Sequence, residues 1–167
     1  MEENLINKTG TINIIFLDVD GVLNSINNLI KVYEKTHRQH SGYNYPFDEE
    51  CLNNLRFLVE ETNSKIVITS TWRRHEKNIK VLLEKLDEYG LKDKVIGYTP
   101  ILNEKRGKEI KKFLDTLDYK TNFIILDDDT DMEDLITFLI NTNPYFGLTK
   151  EDTDNGIKML NKTLHKQ

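Results

Sequence analysis

Short apolar runs alternate along this chain with longer segments in which apolar residues recur at helical spacing. The runs predict five strands, at residues 12–18, 65–69, 94–98, 122–127 and 137–140. Strands that alternate with helices are typical of βα units, whose strands join into a parallel sheet. The pattern therefore predicts an α/β fold.

Four helices are predicted where apolar residues stand three and four positions apart, because this spacing places one apolar stripe on each helix. The stripe positions are Leu52, Leu55, Leu58 and Val59; Ile79, Leu82, Leu83 and Leu86; Ile110, Phe113, Leu114 and Leu117; and Ile157 and Leu160. Gly90 is expected to end the second helix, since glycine favours the left-handed conformation in which many helices end. Thr149 and Asp152 resemble a capping box at the start of the last helix.

Residues 24–46 break this rhythm. They separate the first strand from its helix by far more than the roughly two to six residues of an ordinary connection. An insertion beside a site is commonly a lid or a specificity element, so we expect a minimal flap that either faces the substrate or is simply solvated. The cations and aromatic residues of this flap are Lys31, Tyr33, Lys35, His37, Arg38, His40, Tyr43 and Tyr45.

The size and composition fit one globular domain. The chain has 167 residues, of which 38% are hydrophobic and 31% charged, and no apolar stretch approaches the roughly 20 residues of a membrane span. Residues 1–10 are polar and acidic, unlike a signal or transit peptide. We therefore expect a cytoplasmic monomer with a single domain over residues 1–167, whose core covers about 12–160.

The charge limits the kinds of partner. A net charge of −5 and a pI near 5.4 argue against a general nucleic-acid-binding surface, which would carry clustered excess Lys and Arg. Recognition of a single phosphorylated end is compatible with this charge. The lone cysteine, Cys51, falls on an apolar helical stripe, which favours a core thiol over a nucleophile.

The candidate chemistry begins with Asp18 and Asp20, which follow the apolar run 14–17 and precede Gly21. The two carboxylates point the same way if the chain stays extended, and apart if it turns at Gly21. Negative charges this close repel, so the pair calls for a cation or for a proton on one acid. Mg²⁺ suits carboxylates and a phosphate best. An ordinary Asx turn after a strand is the alternative.

Further polar residues stand where the other predicted elements open towards the same edge. They are Thr69, Ser70 and Thr71 after the second strand, Asp127, Asp128 and Asp129 after the fourth with Asp131 beyond, and Arg106 and Lys108 at the start of the third helix. In an open parallel sheet, ligands bind at the carboxyl ends of the strands. Carboxylates, hydroxyls and a fixed cation are the groups that phosphoryl transfer needs.

Two other interpretations of the acidic cluster fail. Asp127, Asp129 and Asp131 match the first ligand positions of an EF-hand loop, but Met132 stands where that loop needs Gly and Phe138 where it needs Glu. A nucleotide kinase would need a glycine-rich P-loop, and the sequence has none. The cluster therefore favours a phosphate-processing site.

Taken in order, the polar groups resemble the four motifs of the haloacid dehalogenase (HAD) superfamily phosphatases. Asp18-x-Asp20-Gly21 is similar to the first motif, Thr69-Ser70 to the second, Arg106 or Lys108 to the third, and Asp127-Asp128 to the fourth. The stretches 68–73, 106–110, 126–132 and 147–149 are similar to the small HAD domains described in Swiss Army Knife RNA repair proteins. The resemblance covers about residues 12–160. It implies a Rossmann-like three-layer sandwich with a central parallel sheet and a minimal cap.

The resemblance also implies roles. Asp18 would attack phosphorus and become an aspartyl phosphate, and Asp20 would protonate the leaving oxygen and then activate water. Mg²⁺ would bind the Asp18 carboxylate, the Asp20 backbone carbonyl and Asp127. Asp128 and Asp131 would support the ion, with Asp128 counted among the metal-binding residues.

Two positions stay open at this stage. Ser70 is favoured as the phosphate-binding hydroxyl, with Thr69 the close alternative, and either Arg106 or Lys108 supplies the third-motif cation. Arg73, beside the second motif, is expected to support the site or contact the substrate. The expected function is a magnesium-dependent phosphomonoester hydrolase that acts on a small phosphorylated metabolite, a nucleotide or a nucleic-acid end. The alternative is a catalytically idle HAD fold that serves as a binding module.

Overall fold

A computed structural model describes residues 10–38 and 45–162. The strands are β1 (Ile12–Leu17), β2 (Lys65–Ile68), β3 (Val95–Tyr98), β4 (Thr121–Asp127) and β5 (Leu139–Asn141). The helices are α1 (Ile26–Thr36), α2 (Glu49–Thr62), α3 (Glu76–Glu88), α4 (Arg106–Leu114) and α5 (Lys150–Lys162). Every predicted strand and helix is therefore present, and α1 is an addition.

The strands form one parallel sheet in the order β3-β2-β1-β4-β5, which confirms the predicted α/β architecture. Leu17, the last residue of β1, pairs with Ile68 of β2 and with Leu126 of β4. The Asp18 N–H donates to the Leu126 carbonyl (3.0 Å), and the Thr69 N–H donates to the Leu17 carbonyl (2.9 Å). The three central strands thus end at one level, and the residues that follow them meet at one edge.

Alternate side chains of β1 enter two separate cores, because successive residues of a strand face opposite sides of the sheet. Ile15 and Leu17 belong to the core beneath α2, α3 and α5, whereas Ile14 and Phe16 belong to the core beneath α4. All four side chains are completely buried, and each such burial contributes roughly 1.5–3 kcal/mol. The result is the predicted three-layer sandwich with β1 at its centre.

The predicted helix ends are confirmed at α5 and α3. At the start of α5, the Thr149 N–H donates to Asp152 Oδ2 (3.0 Å), and the Asp152 N–H donates back to Thr149 Oγ1 (3.2 Å). This reciprocal pair is the predicted capping box. Just after α3, Gly90 adopts a φ of +69°, the left-handed conformation for which glycine was expected.

Helix α4 is shorter than its predicted stripe. It ends before Leu117, because Thr116 turns the chain by donating from both its N–H and its Oγ1 to the Phe113 carbonyl. Leu117 still packs against the core beneath α4. Within the described ranges, none of the helices combines the length and the apolar character that crossing a bilayer requires.

The insertion that was predicted as a flap contains the additional helix α1. The Ser25 side chain caps its start, and His37 ends it with a φ of +53°. None of the α1 residues is buried, although Ile26, Leu29, Ile30 and Tyr33 stand at the spacing of an apolar helical stripe. The prediction of a flap overlooked this stripe. Residues 39–44, with His40 and Tyr43, lie outside the described part of the chain.

Candidate active site

The floor of the site consists of carboxylates that follow β1 and β4. One oxygen from each of Asp18, Asp127 and Asp128 lies within 4.8 Å of the others. Asp18 is 7% exposed and Asp127 is 1% exposed, while Asp128 is half-buried. The sequence predicted that these acids would meet, and the common level of the strand ends brings them together.

The chain turns directly after Asp18, so that Asp18 and Asp20 diverge. Gly21 has a φ of +75°, and a β-carbon at this position would overlap the Asp128 carboxylate. The Gly21 N–H donates to Asn24 Oδ1 (2.8 Å), and its carbonyl accepts from Thr142 Oγ1 (2.7 Å). Glycine is therefore required here both for the turn and for the close approach of Asp128.

The carboxylate cluster carries unusual electrostatics. Burial raises the pKa of Asp18 to about 6, although the Arg106 guanidinium and a hydrogen bond from Ser70 oppose the shift. Burial, reinforced by the charge of Asp18, raises the pKa of Asp127 to about 7. Burial also raises the pKa of Asp128. Each acid therefore holds its proton more tightly than it would in water, unless a cation compensates.

The donor set fits a divalent cation. Asp127 Oδ2 is buried and has no hydrogen-bond partner among the described residues, and Arg106 Nε lies 3.8 Å from it. One guanidinium therefore faces three converging carboxylates, and one carboxylate oxygen remains unsatisfied. Mg²⁺ prefers oxygen ligands and is commonly held by carboxylates, so the residues present suit this ion.

The structure separates the two candidates for the third-motif cation. Arg106 is the first residue of α4, and its Nη1 lies 3.6 Å from Asp18 Oδ1; the same group also donates to the Thr69 carbonyl. Lys108 instead pairs with Glu104 at 2.5 Å on the surface. Two positions along the helix turn its side chain to another face, so Arg106 is the cation that the structure brings to Asp18.

Asp131, which the sequence predicted as a support for the metal, binds the start of α4. Its carboxylate accepts from the Arg106 N–H (3.1 Å), and its carbonyl accepts from the Gly107 N–H (3.2 Å). A β-carbon on Gly107 would overlap the Met132 carbonyl. The close contact between this loop and the first turn of α4 fixes the helix end from which Arg106 projects.

The two candidate hydroxyls of the second motif also differ in position. Ser70 acts to lower the pKa of Asp18, against the larger effect of burial, and its Oγ accepts from the Trp72 N–H (3.3 Å). Thr69 Oγ1 is buried and has no hydrogen-bond partner among the described residues. Ser70 is thus the hydroxyl that influences the Asp18 carboxyl group, while Thr69 offers an unpaired hydroxyl within the described residues.

Arg73 is buried behind the site. Its guanidinium donates to the carbonyls of Thr69 (2.5 Å), Ser70 (2.9 Å), Thr99 (3.0 Å) and Pro100 (3.2 Å), and to Glu109 Oε2 (2.5 Å). The side chains of Arg73 and Glu109 are 3% and 5% exposed. Arg73 therefore supports the loop after β2 rather than facing the cleft. Nothing in the sequence distinguished Glu109 from the charged residues around it.

Asp20 lies apart from the three clustered carboxylates. Its Oδ1 accepts from Tyr45 Oη (2.6 Å) and Asn24 Nδ2 (3.1 Å), and its Oδ2 accepts from Trp72 Nε1 (3.0 Å). Trp72 is buried, as expected for core packing, yet its indole N–H reaches the site. The sequence placed Tyr45 in the insertion and Trp72 beside the second motif, but no local pattern could show that both contact Asp20.

Comparison with known families identifies one match. The family model described as "HAD domain in Swiss Army Knife RNA repair proteins" matches residues 14–153. Searches of curated proteins and of solved structures gave no significant match. The matched range extends from within β1 to the first turn of α5 and includes all the site residues described above.

Proposed function

Because this chain belongs to the family of HAD domains in Swiss Army Knife RNA repair proteins, we propose that it is a magnesium-dependent phosphomonoester hydrolase. The observation that supports the proposal is the convergence of Asp18, Asp127 and Asp128 within 4.8 Å, with Arg106 3.6 Å from Asp18. These groups lie at the carboxyl edge of a parallel sheet, where such folds bind their ligands.

In this proposal Mg²⁺ is held by the carboxylates of Asp18, Asp127 and Asp128 and by the backbone carbonyl of Asp20. The bound ion supplies charge neutralisation for the phosphate oxygens. Arg106 donates hydrogen bonds to the same phosphoryl group, and the Ser70 hydroxyl, which acts to lower the pKa of Asp18, provides a further donor. Together these donors stabilise the charge that develops on the phosphoryl oxygens during transfer.

The reaction proceeds in two steps. In the first, an Asp18 carboxylate oxygen forms a bond to phosphorus while the ester P–O bond breaks, and the leaving oxygen takes a proton from the Asp20 carboxyl group. In the second, water attacks phosphorus, the Asp20 carboxylate takes its proton, and the P–O bond to Asp18 breaks. Inorganic phosphate leaves, and both aspartates return to their starting states.

The substrate that we propose is the terminal phosphate of a nucleic acid, with a mononucleotide as the close alternative. The family description names RNA repair, which supports the first. The net charge of −5 disfavours binding along a whole nucleic-acid strand, and the proposal requires recognition only of the phosphorylated end.

A phosphatase panel tests this proposal. Oligonucleotides with 3′- or 5′-phosphates are compared with mononucleotides, sugar phosphates and an aryl phosphate in the presence of Mg²⁺. Asp18→Asn should abolish hydrolysis of every substrate, because the amide is a poor nucleophile, and its circular dichroism spectrum should match the wild type. If oligonucleotides are hydrolysed no better than mononucleotides, the proposal that the substrate is a nucleic-acid end is wrong. Wild-type inactivity across the panel would favour the idle binding module.

A further inference from the structure

The carboxylate of Asp20 accepts hydrogen bonds from donors on three separate segments of the chain. Asn24 belongs to the turn after β1, Trp72 follows β2, and Tyr45 lies at the end of the insertion. Their donor atoms lie 3.1, 3.0 and 2.6 Å from the Asp20 oxygens. An exposed aspartate normally samples several rotamers, and three fixed donors restrict it to one.

The Tyr45 hydroxyl donates to Asp20 Oδ1. Burial, reinforced by the hydrogen bond to Asp20, raises the pKa of Tyr45 far above its usual range, so the phenol keeps its proton. The indole N–H of Trp72 has no acceptor capacity. Both groups therefore donate a hydrogen bond to a carboxylate oxygen of Asp20 without ionising themselves.

The position of Tyr45 is fixed by its surroundings. Its ring packs edge-to-face on Trp72, with centroids 4.7 Å apart, and on Phe47 at 4.9 Å. Next to it, the Pro46 carbonyl accepts from Asn28 Nδ2 of α1 (3.1 Å). The insertion thus delivers a phenol hydroxyl to Asp20 with both its ring and its backbone held in place.

We propose that Tyr45, together with Trp72, is a positioning residue that aims the Asp20 carboxyl group at the leaving oxygen of the substrate. The inference rests on the proposed function, in which Asp20 protonates that oxygen. When the P–O bond breaks, its electron pair stays on the leaving oxygen, which takes the proton of Asp20. Tyr45 keeps its own proton throughout and acts only through Asp20. Misdirection of a general acid matters most when the leaving group is poor, because a good leaving group departs without protonation.

The test uses a series of substituted phenyl phosphates whose leaving groups differ in basicity but hardly in size. We measure kcat/KM, which includes the departure of the leaving group, for the wild type and for Tyr45→Phe. Tyr119→Phe is the matched control, because it deletes a phenol hydroxyl before β4, at the opposite edge of the sheet. Trp72→Phe provides a second variant that removes the other aromatic donor, and Asp20→Asn is the reference for complete loss of the acid.

The expected result is selective. Tyr45→Phe should lower kcat/KM by about tenfold for the poorest leaving group and by less than about twofold for p-nitrophenyl phosphate, since general acid catalysis contributes about 10²–10⁴-fold in all. Trp72→Phe and Asp20→Asn should also lower kcat/KM most for the poorest leaving group, whereas kcat/KM of Tyr119→Phe should match the wild type across the series. An equal loss across the series in Tyr45→Phe would show a merely structural role and overturn the inference alone. A wild type inactive on every ester would overturn the proposed function as well.

Discussion

Two aspartates that stand two positions apart occupy opposite environments because the chain turns between them. Val19 is completely buried and its carbonyl accepts from the Leu23 N–H (2.8 Å), so the strand gives way to a turn at once. Asp18 is consequently left in the buried cluster, and Asp20 is carried to the surface. This separation suits a nucleophile that must be held beside a cation and a general acid that must reach the leaving group.

The different positions of Arg106 and Lys108 lead to a prediction at the same scale. Arg106→Lys should lower kcat/KM for phosphate esters by about 10- to 100-fold. An ammonium group cannot reproduce the two-pronged contact of a guanidinium with phosphate oxygens. Steady-state kinetics with p-nitrophenyl phosphate provides the measurement.

Lys108→Met is the matched control for this prediction. Lys108 pairs with Glu104 on the surface, so its loss should change kcat/KM by less than about twofold. The opposite order, with Lys108→Met the more damaged variant, would mean that α4 presents a different face to the substrate from the one described.

The acids of the site could be predicted from the sequence individually, whereas its cation could be narrowed only to two residues. Asp18 and Asp127 follow uninterrupted apolar runs, so their strand ends were recognisable. The choice between Arg106 and Lys108 depends on the residue at which α4 begins. The first residue of α4 is set by hydrogen bonds between the helix start and Asp131. A contact between segments that are distant in the sequence produces no pattern from which it could be predicted.

At the scale of elements, the Arg73–Glu109 ion pair joins the loop after β2 to the first turns of α4. Arg73 binds the Thr69 and Ser70 carbonyls, and Glu109 also accepts from the Leu102 N–H (2.9 Å). Arg73 and Arg106 both donate to the Thr69 carbonyl. The pair thus holds together the segments that present the second-motif hydroxyl and the third-motif guanidinium.

Glu109→Gln should therefore destabilise the protein by about 2–4 kcal/mol, because removal of one partner leaves a buried guanidinium without its counter-charge. Urea unfolding measures the change. Glu104→Gln is the control, since Glu104 also contacts a cation at 2.5 Å but its side chain is 47% exposed. Its unfolding free energy should stay close to the wild type. Equal effects of the two substitutions would refute the proposed importance of burial for the Arg73–Glu109 pair.

Local signals explain which elements could be predicted. The capping box at Thr149 and the glycine after α3 act through neighbours within a few residues, and both predictions were confirmed. Helix α1 was missed although Ile26, Leu29, Ile30 and Tyr33 form an apolar stripe at helical spacing, because the long insertion was interpreted as a flap. None of the α1 residues is buried. The role of Glu109 was missed because its partner lies on another element.

At the scale of the whole molecule, one parallel sheet determines where charge accumulates. The central strands end in register, and their two adjacent ends deliver carboxylates to the same buried place. The hydrophobic runs that made the strands predictable therefore also account for the electrostatic strain of the site, which is the repulsion between the buried carboxylates. Without a cation, the folded state has to keep mutually repelling acids together away from water.

This strain predicts how the stability of the metal-free protein depends on pH. The pKa of Asp18 is raised to about 6 and that of Asp127 to about 7, above the 3.8 expected for an unfolded aspartate. Between these values the folded state binds more protons than the unfolded state, so the free energy of unfolding must fall as pH rises. Their contribution is fully present below about pH 4 and is lost as pH passes about 7.

Thermal unfolding at pH 5 and pH 8 checks this expectation. In EDTA, the Tm of the wild type should decrease between these pH values more than that of Asp127→Asn, whose amide neither titrates nor repels Asp18. Mg²⁺ should raise Tm more at pH 8 than at pH 5, because the ion binds the ionised carboxylates and competes with protons. A wild-type profile parallel to that of Asp127→Asn, with no response to Mg²⁺ at either pH, would contradict a cation site at these carboxylates. The competition with protons distinguishes this site from general salt stabilisation, which would act similarly at both pH values and on both proteins.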